Sequence, residues 1–247
     1  MTGVCPRTWV GWLTGLTVAV ITAAGNALND VLDADVDRVA HPERPIPSGR
    51  VSPQGALGIA VVLFLVGLGS AWTLGQMPFL VAGLAVLGIL VYNLWAKWVP
   101  LLGNLLVSGI AALTFLFVGV VVGEIRAMIF PFLFAFLFHW AREIVKDIQD
   151  AGADRIRQAR TLPLWLGETF AWRMAKILLA ILVMVTLIPY ALGIFGKAYL
   201  LVVVLGVDIP LILFILGKIR RPAAQIQEWL KVEILVGLVA LTLWRIG

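Results

Sequence analysis

Charge is scarce in this sequence. Asp, Glu, Lys and Arg make up 13% of the 247 residues, while 61% are hydrophobic, more apolar surface than a soluble domain of this length can bury. Cysteine is nearly absent as well: Cys5 stands alone, which excludes an intramolecular disulfide and leaves the redox compartment unmarked. The basic excess is a net charge of +5, which reads as loop charge that sets membrane orientation rather than as a nucleic-acid surface.

Long apolar runs are what remain. A span needs ~20 mostly apolar residues to cross a ~30 Å hydrocarbon core, and the sequence predicts an all-α, polytopic membrane bundle. Eight spans are expected, at about 8–29, 53–74, 79–95, 101–121, 127–147, 170–193, 198–217 and 228–245. The first has signal-peptide features, with Arg7 before it and Ala23 and Ala24 near its end. Cleavage there would remove the helix that presents Asn29 and Asp33, so it is read as retained.

Connections are short except for residues 30–52 and 148–169. Alternating spans put both long loops on one side, together with fifteen of the nineteen Lys and Arg residues. Only Arg7, Arg126, Lys197 and Arg245 face the other way. By the positive-inside rule the long loops are cytoplasmic.

Each long loop opens on an acidic cluster followed by bases and prolines. In NALNDVLDADVDRVAHPERPIPSGR, Asn29, Asp33 and Asp37 recur every four residues, which puts them on one face if the segment stays helical. Asp30 lies beside them, and Arg38, Arg44 and Arg50 follow. The spacing of Asp30, Asp33 and Asp37 returns 117 residues later as Asp147, Asp150 and Asp154, which predicts two facing carboxylate walls. Oxygen ligands of this kind suit Mg²⁺, which keeps waters and takes substrate phosphates as further ligands, and nearby guanidinium groups can hold phosphate oxygens.

Between the clusters, Ser52 and Pro53 form a helix start, and Gly11, Gly15, Gly67 and Gly69 permit close helix packing. Tyr92 and Lys97 stand where one span ends and the next begins, able to reach a phosphate or to anchor the interface. The fifth span ends on His139, Trp140, Arg142, Glu143, Lys146 and Asp147, with Arg155, Arg157 and Arg160 following. Glu143 and Asp147 can pair with bases at i+3 or i−1, and His139 is expected to be hydrogen-bonded in the interior. Asp208 is an intramembrane carboxylate, either functional or satisfying backbone groups freed by Pro210. The loop IRRPAAQIQEWLK suits an anionic lipid surface.

Two acidic walls with basic partners, opening to the cytoplasm from an apolar bundle, suit a substrate with a diphosphate head and a lipid tail. The chemistry expected is ionisation of an allylic diphosphate, with the carbocation kept from water. A cation transporter would place acids throughout the midplane with broken helices in both halves, and Asp208 alone is a poor fit to that. No carboxylate of either cluster is replaced, which argues against an inert lipid-binding scaffold.

NDVLDADVDRVAHPERPIPSGR resembles the first signature of the UbiA-type intramembrane prenyltransferases, and REIVKDIQDAGADRIRQARTLP resembles the second. Tyr92, Lys97, the Gly103-Asn104 pair and QIQEWLKVE also fit that pattern, so the resemblance covers nearly the whole chain as one membrane domain, 1–247. It implies an Mg²⁺-dependent prenyltransferase in which Asn29, Asp33, Asp37, Asp150 and Asp154 organise metal and diphosphate, the four aspartates as metal ligands. Asp30 and Asp147 would support them, and Arg38, Arg44, Tyr92, Lys97, Arg142 and Lys146 would surround the phosphates. RPIPSGR and REIVKDIQD are most similar to members that transfer geranylgeranyl from its diphosphate to geranylgeranylglyceryl phosphate; chlorophyllide and aromatic acceptors are the alternatives. The family pattern has nine spans with the first signature after the second, whereas here it follows the first. One amino-terminal family helix is therefore expected to be absent from this sequence.

Overall fold

The computed structural model describes residues 7–156, 160–219 and 221–246; Cys5, Arg157 and Arg220 lie outside them. Among the described residues every regular element is helical. Seven helices are long and apolar enough to cross a membrane, and they gather in two compact units. The amino-terminal unit runs to Trp95 and includes Leu116–Ile125, while the carboxy-terminal unit takes Ala96–Phe115 and the chain from Arg126 onward.

In the amino-terminal unit, α1 (Arg7–Leu32) packs along α3 (Pro53–Leu74), and α4 (Gln76–Leu94) packs on both. A small residue sets the closest approach: a Cβ on Gly67 would lie 2.5 Å from Ile21 Cγ1, whereas Gly11, Gly15 and Gly69 meet nothing within 4 Å. The hydroxyls of Thr17 and Ser70 bond across the same seam at 2.8 Å. The start of α3 matches its sequence, since the Ser52 hydroxyl accepts from the Gly55 amide at 3.1 Å and Pro53 occupies the first turn.

Both long loops begin as helix, not as irregular chain. After a break at Asp33, α2 (Ala34–Ala40) carries the first cluster onward, and α6 (Ile125–Ile156) continues well past the expected end at 147. Helix-compatible residues run on in both places, and once a helix is nucleated each further residue adds a bond.

In the carboxy-terminal unit, a 3₁₀ turn (Ala96–Trp98) leads to α5 (Leu102–Val122), which belongs to this unit as far as Phe115, and a short α7 (Leu162–Leu166) follows α6. Next come α8 (Glu168–Ala191), α9 (Lys197–Val203), a π-helical turn (Val204–Asp208) and α10 (Ile209–Ile215). The core here includes Ile144, Val145, Leu179, Tyr199, Leu211 and Leu230. The last helix, α11 (Ala223–Thr242), occupies the expected eighth span, but Glu228, Lys231 and Glu233 set it apart from the seven apolar ones.

Candidate functional site

The first cluster is held by an unbroken series of helical backbone bonds. The Asp33 amide donates to the Asn29 carbonyl at 2.9 Å, that of Asp37 to Asp33 at 2.8 Å, and that of His41 to Asp37 at 2.8 Å. Asn29, Asp33 and Asp37 therefore stack turn upon turn, as their spacing predicted, even though the dihedrals depart from α at Asp33. Asp37 is buried at 5% exposure, while Asn29, Asp30 and Asp33 are partly open.

The proline loop then folds back on this face. Amides of Arg44, Ser48, Gly49 and Val51 close successive turns onto His41, Arg44, Ile46 and Pro45, and Gly49 takes the positive φ of 77° that the last reversal needs. The result brings Arg44 Nη1 to 2.7 Å from Asp37 Oδ2 and 3.8 Å from Asp30 Oδ1. Arg38 instead pairs at the surface with Asp35, at 3.0 Å. Arg50 braces the loop through the Ser48 hydroxyl and the Glu43 carbonyl. Tyr92 ends α4 in the same unit and is half-buried.

The second cluster lies in the other unit, on the last turns of α6. Glu143 holds both neighbouring bases, Arg142 at 3.4 Å and Lys146 at 3.8 Å, in the i−1 and i+3 pattern read from the sequence. Asp147 does not share that pattern: its Oδ2 accepts from the Asn104 side chain on α5 at 2.8 Å. Asp150 and Asp154 follow on the helix, both partly open. Lys97 sits in the 3₁₀ turn with its ammonium 5.2 Å from the Trp98 ring.

Asn104 is the neighbour of the second cluster that spacing alone does not single out. It is set by a tight reversal: Leu101 adopts φ 64°, a left-handed conformation costly for a branched side chain. At Gly103 a Cβ would come within 3.2 Å of the Ala96 carbonyl. The Gly103-Asn104 pair thus has a physical reason, one residue for close approach and the next to hold a carboxylate.

Deeper in this unit, Asp208 is 3% exposed and both its oxygens accept from the Thr186 hydroxyl at 3.1 Å. Just before Pro210 the chain forms a π-helical turn, in which the Ile209 amide donates to the Val204 carbonyl. Asp208 is also not the one deep acid: Glu233 on α11 is 5% exposed.

The oxygen-only donors of both clusters fit Mg²⁺ in kind. Among the described residues no three His, Cys, Asp or Glu side chains stand close enough to hold an ion by themselves. Mg²⁺ needs only one or two carboxylates when substrate phosphates complete its shell, so the residues suit partial ligation.

Known proteins resemble this chain in sequence and fold. The profile of the UbiA prenyltransferase family matches residues 2–237. The digeranylgeranylglyceryl phosphate synthase of Methanopyrus kandleri is 38% identical over 230 residues, covering 92% of this chain and 84% of that one. The synthase of Methanothermobacter thermautotrophicus is 36% identical over 233 residues, covering 92% and 82%. A solved structure of digeranylgeranylglyceryl phosphate synthase superposes with a TM-score of 0.80 at 28% identity, covering 94% and 84%. A UbiA homologue from Archaeoglobus fulgidus bound to DMAPP and Mg²⁺ shares the fold, with a TM-score of 0.74 at 18% identity, covering 96% and 88%. By the extent of the family match and by these relatives, the chain belongs to the UbiA prenyltransferase family, a transferase built as a multi-pass membrane protein.

Proposed function

We propose that this chain, acting as one prenyltransferase domain, moves a geranylgeranyl group from its diphosphate to the free hydroxyl of geranylgeranylglyceryl phosphate, with Mg²⁺, at the cytoplasmic face. The observation that carries this reading is the likeness to synthases of that name at 34–38% identity over more than nine-tenths of this chain. The excess of Lys and Arg on the side of both clusters supports the cytoplasmic placement.

Asn29, Asp33, Asp37, Asp150 and Asp154 organise the diphosphate end, with the four aspartates as metal ligands and Asp30 and Asp147 supporting them. Bound Mg²⁺ would supply charge stabilisation for the leaving diphosphate. Arg44 holds Asp37 in place and presents its remaining donors outward, where a phosphate oxygen can accept them. Arg142 and Lys146, gathered by Glu143, add positive charge beside the second cluster, and Arg38, Tyr92 and Lys97 complete the surround. The bond from the prenyl carbon to the diphosphate oxygen breaks, and its electron pair leaves with the diphosphate. The acceptor hydroxyl oxygen bonds that carbon and its proton is released. Apolar helix faces keep water from the cation in between.

Asn104 is assigned as a positioning residue through Asp147. Loss of one hydrogen bond to a charged group costs ~1.5–3 kcal/mol, so Asn104→Ala should lower kcat/KM by roughly tenfold to a hundredfold. Asn104→Asp should lower it further, by setting a second carboxylate against the first. Equal activity in all three forms would remove Asn104 from the site.

The test of the function is product analysis of membranes containing this chain, given Mg²⁺ and labelled geranylgeranyl diphosphate with geranylgeranylglyceryl phosphate, chlorophyllide or aromatic quinone precursors. An ether lipid that disappears on chelation and returns with Mg²⁺ is the expected outcome. Product on another acceptor overturns the acceptor assignment, and transfer that survives chelation overturns the metal.

A further inference from the structure

The carboxy-terminal unit carries a basic rim where α8 begins and α10 ends. Lys176, about two turns into α8, is half-buried. Its Nζ donates to the Ile215 carbonyl at the end of α10, at 3.3 Å. Arg173 stands one turn earlier on α8 and is exposed. Past Ile215 the chain reverses: Gly217 takes φ 73°, and the amides of Gly217 and Lys218 turn back onto the Phe214 and Leu213 carbonyls at 3.0 and 2.9 Å. That reversal leaves Lys218 exposed at the same helix end.

Among the described residues no carboxylate forms an ion pair with Arg173, Lys176 or Lys218, whereas Lys231 on α11 is paired with Glu228 at 2.6 Å. Serving the end of α10 uses one donor of the Lys176 ammonium, which has three. Depth points to what the others meet. The Lys176 Nζ lies 5.3 Å from the Phe214 ring, and that ring is flanked by Trp172 and Trp229 at 6.1 and 5.7 Å. Tryptophans gather at the level of lipid headgroups, so the charge stands where phosphates are found. Further along α8, Arg173, Ile177, Ile181, Met184 and Ile188 follow helical spacing on one exposed face, a charge at the rim and hydrocarbon beyond it.

We infer that the rim between α8 and α10 binds one anionic phospholipid of the surrounding bilayer, its headgroup phosphate accepting from Lys176, Arg173 and Lys218 and its chain lying along Ile177 and Ile181. Charge selects this occupant. A zwitterionic lipid would bring its own cation to a rim whose three charged side chains are all bases. The site is separate from the two acidic signatures and does not depend on the acceptor or the metal assigned above.

The test takes the full chain in neutral detergent with equimolar phosphatidylglycerol and phosphatidylcholine, without prenyl diphosphate, acceptor or Mg²⁺, and counts retained lipid by native mass spectrometry. Wild type is expected to retain one phosphatidylglycerol in preference to phosphatidylcholine. Affinity for it should fall roughly fivefold for each charge removed, in Lys176→Gln and, by two such factors, in Arg173→Gln with Lys218→Gln. The latter pair is exposed, so its result decides if Lys176→Gln fails to fold. Arg126→Gln with Lys197→Gln removes the same charge at the first turns of α6 and α9, the opposite ends of the spans, and should leave the preference unchanged. Excess inorganic phosphate should not displace the lipid. No preference in wild type, equal loss in the Arg126 and Lys197 control, an unchanged preference in the rim variants, or displacement by free phosphate overturns the proposal.

Discussion

Asp150→Ala and Asp33→Ala are each expected to reduce prenyl transfer by on the order of a hundredfold to a thousandfold, the scale of losing one group aimed at developing charge, while the protein still inserts. The two residues stand in different units of the fold, one on the last turns of α6 and the other at the junction of α1 and α2. Both lie within a run of helical backbone bonding, and alanine, the best helix former, leaves that backbone undisturbed. Neither substitution opens a core cavity, because both side chains are partly exposed. The loss should therefore appear in turnover per inserted molecule and not in the amount inserted. Asp35→Ala is the matched control. Its carboxylate lies on the same segment but is 90% exposed and pairs with the exposed Arg38, so turnover within twofold of wild type is expected. Retained turnover in both Asp33→Ala and Asp150→Ala would sink the assignment of two working carboxylate clusters.

The contrast between Asp35 and Asp33 also shows what the sequence could and could not tell. Four-residue spacing was enough to stack Asn29, Asp33 and Asp37, because helix geometry converts sequence separation directly into a shared face. Ser52-Pro53 was enough to start α3 at the right residue, because a cap acts within three positions. The pairing of Glu143 with Arg142 and Lys146 was legible for the same local reason. By contrast, the bond from Asn104 to Asp147 spans 43 residues, and no local rule links them. Glu233 was hidden by averaging, since one acid hardly lowers the hydropathy of a run such as VEILVGLVALTLW, and only its burial reveals it. The helices run past the expected span ends at 29 and 147 because charged residues mark the membrane boundary and not the helix end. A helix can leave the hydrocarbon without ending, and in this family member the carboxylates are presented on such extensions.

Arg44→Ala should be the most damaging change among the basic residues, with kcat/KM for the prenyl diphosphate reduced about a hundredfold or more. Two losses combine. Asp37 is buried and its closest partner is the Arg44 guanidinium, 2.7 Å away, so truncation leaves a carboxylate with its charge uncompensated in a site that needs it oriented. The same guanidinium has further donors in its planar fork, and in the proposed role these meet the diphosphate, each charge-assisted bond being about twice the strength of a neutral one. Arg44→Lys separates the two contributions. A lysine restores a positive charge near Asp37 but as a compact point charge that cannot serve carboxylate and phosphate in one plane, so it should recover thermal stability more fully than activity. The expected pattern is a lowered Tm and a strongly lowered kcat/KM for Arg44→Ala, against near-normal Tm and roughly a tenfold deficit for Arg44→Lys. Arg38→Ala provides the comparison within the same segment: Arg38 is 64% exposed and pairs with an exposed acid, so its loss should leave Tm unchanged. If Arg44→Ala lowers Tm while kcat/KM stays at the wild-type value, Arg44 is a structural partner of Asp37 only, and the diphosphate must be held by the bases gathered at Glu143.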